Sequence, residues 1–131
     1  MKIGVTGATG QLGRLVVEKL KQNVTVDTIV ALVRNPEKAA GLGIEARAFD
    51  YTKTENLVTS LMGIDKLLLI SGNEVGQRLP QHLAVIDAAK QAGVKQLFYT
   101  SILHADSSPL GLATEHLATE VAIKESGLTY T

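Results

Sequence analysis

Short runs of apolar, largely β-branched residues alternate along the chain with longer segments in which apolar residues recur every three or four positions. The short runs predict buried strands, and the longer segments predict amphipathic helices. This alternation is typical of a parallel sheet covered by helices on both faces. We predict six strands, at residues 2–5, 28–33, 46–49, 66–70 and 96–101, with a sixth that begins at 128 and is cut off at 131.

Two of the predicted helices have a clear apolar face. The first helix carries Leu12, Leu15, Val16 and Leu20, and the helix before Gly93 carries Leu79, Leu83 and Ile86. We expect both faces to pack on the sheet.

Asn35 followed by Pro36 fits an N-cap with proline at the first helical position. Gly93 and Gly127 each follow a helical pattern, so we expect both in the left-handed conformation.

Six strands with five connections match the doubly wound α/β fold of the Rossmann type, a three-layer α/β/α arrangement. We therefore expect a single domain over residues 1–131 with the strand order 3-2-1-4-5-6. In this order, ligands bind in the crevice at the carboxyl ends of strands 1 and 4. The loops that start after Val5, Val33, Phe49, Ile70 and Thr100 all carry polar residues, and we expect the binding residues there.

Composition narrows the choice of partners. Thirteen basic residues balance thirteen acidic ones, so we expect neither nucleic acid nor an anionic membrane as a partner. The chain has no cysteine, which excludes disulfides, thiolate catalysis and cysteine-based metal sites. We see no leader peptide and no apolar run of membrane-spanning length, and we therefore expect a soluble cytoplasmic protein.

Three glycines spaced by two residues follow the first strand directly. Gly7, Gly10 and Gly13 would allow a sharp turn, a close approach of bare backbone to a pyrophosphate, and tight packing of the next helix. The amides at the start of that helix would point at the phosphates. We predict a nucleotide-binding turn that also includes Thr9, Gln11 and Leu12; the alternative is an ordinary tight turn without a ligand.

The end of the second strand indicates which dinucleotide binds. A carboxylate there accepts hydrogen bonds from the ribose of NAD, whereas arginine accommodates the 2′-phosphate of NADP. Arg34 follows this strand with Asn35 beside it, which favours NADP(H); the alternative is a surface arginine that pairs with Glu37. Asp50, after the third strand, either accepts from the adenine amino group or caps the next helix.

The loop after the fourth strand should lie near the nicotinamide. Ser71 and Asn73 can hydrogen-bond to its ribose or carboxamide, and Gly72 lets the backbone approach. We interpret Glu74 and Gln77 as ordinary loop and helix-start residues.

Further segments point to a family. They are TGATGQLG at 6–13, VRNP at 33–36, LLLIS at 67–71, EVGQR at 74–78 and YTSILHADSSPLGL at 99–112. Together they resemble the NmrA-like branch of atypical short-chain dehydrogenases, and most closely its NADPH-dependent quinone oxidoreductases. The resemblance implies hydride transfer from NADPH to a quinone, with residues 7–13 and Arg34 on the phosphates and Ser71 near the nicotinamide. It also implies a smaller substrate lobe that we expect this chain to lack.

The chain departs from ordinary short-chain dehydrogenases in its lack of a Tyr-x-x-x-Lys pair, so we expect no tyrosine general acid. Direct hydride transfer to a quinone can proceed by proximity, with water as the proton donor. Ser101 and His104 could polarise a quinone oxygen, although an exposed loop histidine is the alternative for His104. We predict an ordinary exposed pair for His116 and Glu120.

Three further expectations concern partners. His82 lies in a helix with no partner in sight, and we assign it no role. The competing function is a redox sensor that binds NADP(H) without turnover and acts through a protein partner; the segment at 99–112 favours the enzyme. Unpaired backbone groups along 128–131 would make self-association unsurprising.

Overall fold

The structure, a computed structural model, describes residues 2–50, 56–70, 78–100 and 113–131. The strands are β1 (Ile3–Thr6), β2 (Ile29–Val33), β3 (Glu45–Ala48), β4 (Lys66–Leu69), β5 (Gln96–Tyr99) and β6 (Thr129–Tyr130). The helices are α1 (Gln11–Asn23), α2 (Leu57–Ser60), α3 (Arg78–Ala92) and α4 (Ala113–Ser126), with 3₁₀ helices at Val26–Thr28 and Pro36–Leu42.

The strands form one sheet in the order β3-β2-β1-β4-β5-β6, and every pairing is parallel. The predicted fold class and strand order are therefore confirmed. The chain runs from β1 outward through β2 to β3, and then returns to place β4 on the other side of β1. The carboxyl ends of β1 and β4 consequently meet at the centre of one edge of the sheet, which is where this fold leaves a crevice.

Side chains on the two faces of the sheet pack into two separate cores, because neighbouring residues of a strand point to opposite faces. One core joins Leu67, Leu69 and Leu97 to residues of α2, α3 and α4. The other joins Val5 and Val33 to residues of α1 and the 3₁₀ helix Pro36–Leu42. The sheet is thus flanked by helices on both faces, as the strand pattern predicts.

The sixth strand is short but continues the hydrogen-bond ladder to Thr131. The Tyr99 amide donates to the Thr131 carbonyl at 2.9 Å, and the Thr131 amide donates to the Leu97 carbonyl at 2.9 Å. In the middle of the sheet, β1 extends one residue beyond the predicted boundary and includes Thr6. This extra residue matters for the crevice described below.

The helix ends agree with the sequence, whereas the helix faces agree only in part. Gly93 and Gly127 have φ values of 81° and 83°, and Asn35 caps the helix that starts at Pro36, although that helix is 3₁₀. The predicted packing was wrong for three leucines, which are exposed: Leu12, Leu15 and Leu83. The buried residues of α1 are Gly13 and Val17 instead, and Val16 and Leu20 are half-buried against the core on this face of the sheet.

No helix in the described part of the chain combines the length and the apolar character needed to cross a membrane.

Candidate cofactor site

The glycine turn between β1 and α1 is closed by a backbone hydrogen bond. Gly7 has a φ of 61°, in the left-handed region that favours glycine. The Gly10 amide donates to the Gly7 carbonyl at 3.0 Å, which closes the turn. Gly10 itself is extended and is the N-cap of α1. The chain therefore reverses direction within four residues at the end of the central strand.

Gly13 is required for a different reason, which is the closeness of α1 to the turn. A Cβ atom on Gly13 would overlap the Gly7 carbonyl oxygen and would lie 2.7 Å from the Ala8 Cα. Real side chains do not tolerate such contacts, and these neighbours are backbone atoms that cannot swing away. Glycine at position 13 thus lets the first turn of the helix rest directly on the loop.

The start of α1 can receive an anion. Gly10 has no side chain with which to cap the helix, and the first turn carries no carboxylate. The first amides of a helix have no partner within the helix, and the macrodipole favours negative charge at this end. Thr9 is half-buried, whereas Gln11 and Leu12 are exposed beside these amides. The predicted binding turn therefore has the steric and electrostatic character that a phosphate needs.

Arg14 belongs to this turn, although sequence reasoning did not identify it. Its Nε donates to the Thr9 carbonyl at 2.9 Å, so the exposed guanidinium lies against the loop. A cation near the start of a helix opposes the macrodipole. That conflict is the signal by which Arg14 could have been found.

Thr6 joins the two strands that flank the crevice. It is fully buried at the end of β1, and its Oγ1 accepts a hydrogen bond of 2.9 Å from the Ile70 amide, just past the end of β4. The bond fixes the spacing of the two strands at the point where their loops diverge. This role of Thr6 could have been predicted from the sequence, because Thr6 is a polar residue at the end of an apolar strand.

Arg34 stands directly after the last residue of β2 and is exposed. The pairing of Thr6 with Leu32 brings this end of β2 beside the glycine turn. Arg34 therefore lies at the carboxyl edge of the sheet, one strand away from Gly7. The side-chain oxygen of Asn35 accepts from the Glu37 amide at 3.2 Å, so it serves as a helix cap.

Asp50 lies at the same edge, on the far side of β2. The Phe49 amide donates to the Val33 carbonyl at 2.7 Å, which continues the pairing of β3 with β2 beyond the last residue of β3. Asp50 follows and is half-buried. The structure thus brings the glycine turn, Arg34 and Asp50 to the ends of three adjacent strands.

Other predicted site residues lie outside the described residues: Ser71, Gly72, Asn73, Glu74, Gln77, Ser101 and His104.

Two carboxylates remote from this edge, Asp65 and Glu45, have lowered pKa values. The pKa of Asp65 is lowered because the Lys2 amide donates to its Oδ2 at 2.9 Å and Lys95 adds positive charge. The pKa of Glu45 is lowered by its hydrogen bonds from Lys2 and Arg47. These groups lie at the amino ends of the strands and stabilise the sheet there.

His82 and His116 correct two predictions, because both are buried and both have partners. Their exposed fractions are 0% and 4%. The Nδ1 atoms of both rings lie within hydrogen-bonding distance of the Tyr99 hydroxyl. The predictions were wrong because they treated α3 and α4 separately, whereas the two helices pack against each other. His116 and Glu120 are therefore not exposed as predicted, since His116 is buried and Glu120 is half-buried.

In the described ranges, no three His, Cys, Asp or Glu side chains come together as a group that could hold a metal ion.

The geometry agrees with a comparison against known families. Residues 7–131 match a family model described as NAD(P)H-binding. The chain belongs to this family.

Relatives of this NAD(P)H-binding chain include two curated oxidoreductases. Quinone oxidoreductase 2 of Escherichia coli (strain K12) is 57% identical over 132 residues, which cover 98% of this chain and 46% of the relative. The NmrA-like family domain-containing oxidoreductase flvB of Aspergillus flavus is 34% identical over 141 residues, which cover 100% of this chain and 46% of the relative. The predicted resemblance to NmrA-like quinone oxidoreductases is confirmed.

A solved structure is equally similar. The crystal structure of the NADPH-dependent quinone oxidoreductase QOR2 from Escherichia coli, complexed with NADPH, matches with a TM-score of 0.94 and 56% sequence identity. The match covers 98% of this chain and 46% of that chain. This NAD(P)H-binding chain thus spans about half the length of the relatives it matches.

Proposed function

We propose that this chain is the NADPH-binding part of a quinone oxidoreductase, in which hydride passes from NADPH to a quinone. The observation that carries the proposal is the glycine turn against the start of α1 at the central crevice, with Arg34 one strand away. The high identity to a quinone oxidoreductase from Escherichia coli supports the choice of reaction.

The phosphates of the dinucleotide are assigned to the centre of the edge. Gly7, Gly10 and Gly13 admit the pyrophosphate, and the backbone of residues 9–12 (Thr9, Gly10, Gln11 and Leu12) presents amides to it. Arg14 adds positive charge beside the same loop. These groups fit a diphosphate because they provide donors and no side-chain carboxylate.

Arg34 is assigned to the 2′-phosphate of NADP(H). A guanidinium can hold a phosphate through two parallel hydrogen bonds, and no carboxylate stands at the end of β2 to favour the free ribose of NAD. Asp50, at the end of the neighbouring strand β3, is assigned to the adenine amino group. The adenosine end of the cofactor would then cross β2 and β3.

The nicotinamide end is assigned to the other side of the crevice, above the end of β4. Ser71, Gly72 and Asn73 follow that strand and are proposed to hold the ribose and the carboxamide. When bound, NADPH supplies the hydride. The protein then needs mainly to orient the nicotinamide ring against the quinone, which lowers the barrier through proximity.

Turnover with a quinone tests this function. The full chain should oxidise NADPH in the presence of a quinone, faster than the mixture without protein and faster than with NADH. The controls are NADPH with protein but no quinone, and quinone with protein but no NADPH. NADPH binding without any quinone-dependent oxidation would contradict turnover by this chain and would favour the alternative, a sensor that binds NADP(H) and acts through a protein partner.

A cytoplasmic location and self-association remain predictions. β6 is an edge strand, so its outer backbone groups could pair with a second molecule. Sedimentation of the purified chain over a range of concentrations measures self-association, and cell fractionation measures location.

A further inference from the structure

Arg14 is the charged side chain in the first turn of α1, and it turns back toward the glycine loop. Its Nε donates to the Thr9 carbonyl at 2.9 Å. Its backbone amide donates to the Gly10 carbonyl at 3.0 Å, and the Gly10 amide in turn donates to Gly7. Arg14 is therefore bonded to the loop through both its main chain and its side chain.

Most of the Arg14 guanidinium can still donate to a ligand. An arginine carries five N–H donors in a planar fork, and the bond to Thr9 uses the one on Nε. Among the residues that the structure describes, none forms an ion pair with Arg14 or a second hydrogen bond with its side chain. Glu18, four residues along the helix, lies 3.8 Å from Lys21 instead. The terminal nitrogens of Arg14 are thus exposed beside the loop.

The position of Arg14 is electrostatically unfavourable in the free chain. The helix dipole places partial positive charge at the start of α1, and a cation there opposes it. Gly10 has no side chain to cap the helix, and the first turn has no carboxylate to offset the charge. A bound anion would reverse the sign of this interaction, because it attracts both the dipole and the guanidinium. The arrangement is therefore better suited to the complex than to the free chain.

The bond to Thr9 determines which phosphate group of a dinucleotide Arg14 can contact. The two terminal nitrogens are attached to the same carbon as Nε, so they also lie beside the turn at the end of β1. Arg34 stands at the end of the neighbouring strand β2, where the 2′-phosphate is assigned. The diphosphate is assigned to the turn and to the start of α1. Arg14 accordingly lies beside the diphosphate.

We propose that Arg14 is a clamp for the diphosphate of the dinucleotide, an inference that rests on the proposed function. The Nε bond to Thr9 fixes the guanidinium before the cofactor arrives, and the terminal nitrogens then donate to diphosphate oxygens. Because less side-chain freedom is lost on binding, these bonds contribute more to affinity. NADPH and NADH share the diphosphate. Arg14 therefore strengthens the binding of both equally, whereas Arg34 distinguishes between them.

Lysine can replace only part of this function. Its ammonium supplies the same charge, but it is a single nitrogen on a flexible stem. One nitrogen cannot lie on the Thr9 carbonyl and also form two parallel hydrogen bonds to a phosphate. A lysine at position 14 should therefore be intermediate between arginine and a neutral residue.

The test compares three variants of the full chain by calorimetric titration with NADPH and with NADH. Arg14→Gln removes the charge and should weaken the binding of both nucleotides about 10-fold, so that the preference for NADPH is unchanged. Arg14→Lys should weaken both about 3-fold. Lys19→Gln removes a positive charge from the exposed middle of the same helix and should bind both as the wild-type chain does.

Two fragments of the cofactor separate the diphosphate from the 2′-phosphate. ADP carries the diphosphate without a 2′-phosphate, and 2′-AMP carries the 2′-phosphate without the diphosphate. Arg14→Gln should weaken ADP binding about 10-fold and leave 2′-AMP binding unchanged. Arg34→Ala should do the reverse. NMR titration suits both measurements, because fragments of a ligand bind more weakly than the whole.

Thermal unfolding without nucleotide shows whether Arg14 only holds the loop in shape. Arg14→Gln loses the bond to Thr9 but also loses the unfavourable charge at the start of α1, so it should unfold at the wild-type temperature. Saturation with NADPH should raise the unfolding temperature less in Arg14→Gln than in the wild-type chain. A lower unfolding temperature of free Arg14→Gln, with wild-type affinity for both nucleotides, would indicate a structural role and overturn the clamp.

The outcomes separate the clamp from the proposed function. If the wild-type chain binds NADPH and Arg14→Gln binds it equally well, the clamp is wrong and the proposed function stands. Losses in Arg14→Gln for NADPH and 2′-AMP alone would also overturn the clamp, since Arg14 would then serve the 2′-phosphate. If the nucleotide affinities change as expected but the wild-type chain reduces no quinone, the clamp stands and the proposed function fails. If the wild-type chain binds neither nucleotide, both fail.

Discussion

At the scale of single residues, the shape of the crevice depends on three residues whose backbone conformation, size or hydroxyl group is required at its position. Gly7 has a backbone conformation that favours glycine, and Gly13 has backbone atoms where a Cβ would stand. The Thr6 hydroxyl accepts a hydrogen bond from the Ile70 amide, just past the end of β4. These three residues set the shape of the turn before any ligand arrives.

Gly13→Ala should destabilise the fold by about 1–3 kcal/mol, because the added methyl overlaps backbone atoms that can move only together with α1. It should also weaken NADPH binding, because the helix start must shift. Urea unfolding and calorimetric titration measure the two effects.

Gly41→Ala is the matched control. Gly41 lies in the 3₁₀ helix Pro36–Leu42, and a Cβ there would have no atom within 4 Å. This substitution should leave NADPH binding unchanged and should stabilise the chain by about 0.4–1 kcal/mol. Equal losses in the two alanine variants would contradict the steric account of the turn.

At the scale of elements, the two edges of the sheet have different tasks. The carboxyl edge carries the candidate site, whereas the amino edge carries ion pairs that hold strands together. Lys2, just before β1, contacts residues at the starts of two other strands. Its amide donates to Asp65, before β4, and its Nζ lies 2.9 Å from Glu45, the first residue of β3. Stability and binding should therefore respond to different substitutions.

Asp65→Asn should lower the midpoint of thermal unfolding at neutral pH and weaken its dependence on acid. The pKa of Asp65 is lowered in the folded chain, so its contribution is present above the ordinary value of 3.8 and is lost as pH falls through the folded pKa. Melting curves at neutral pH and below about pH 4 measure this.

Asp27→Asn, in the exposed 3₁₀ helix Val26–Thr28, is the control for loss of one carboxylate. It should leave the acid dependence as in the wild-type chain. NADPH binding should be the same in both variants; a loss of binding in Asp65→Asn alone would contradict the separation of the two edges.

The elements could be predicted from the sequence more completely than their contacts. Strand and helix positions follow from periodicity, and Gly93 and Gly127 were identified by the local rule for helix ends. The packing face of α1 was predicted only in part, because Val16 and Leu20 pack against the core, whereas Leu12 and Leu15 of the same predicted face are exposed. Periodicity predicts which residues share one face of a helix, whereas tertiary packing decides which of them contact the sheet.

At the scale of the whole molecule, the strand order was predictable because alternating strands and helices allow few topologies. The position of the glycine turn and Arg34 at the carboxyl ends of the strands could be predicted because each follows a strand directly, and their role in binding stays a prediction. The cluster of His82, Tyr99 and His116 was missed because its members are 17 residues apart in each step along the chain. No local pattern connects them, and they meet only when α3 and α4 pack above β5.

The most direct test of NADPH binding at this crevice is calorimetric titration with NADPH and with NADH. The wild-type chain should bind NADPH more tightly. Arg34→Ala should lose about 10- to 100-fold in NADPH affinity, the value of a charge-assisted contact, with little change for NADH. Lys90→Ala, which removes a positive charge from the last turn of α3, should change neither. Equal affinity for both nucleotides in the wild-type chain, or an unchanged preference in Arg34→Ala, would contradict the account.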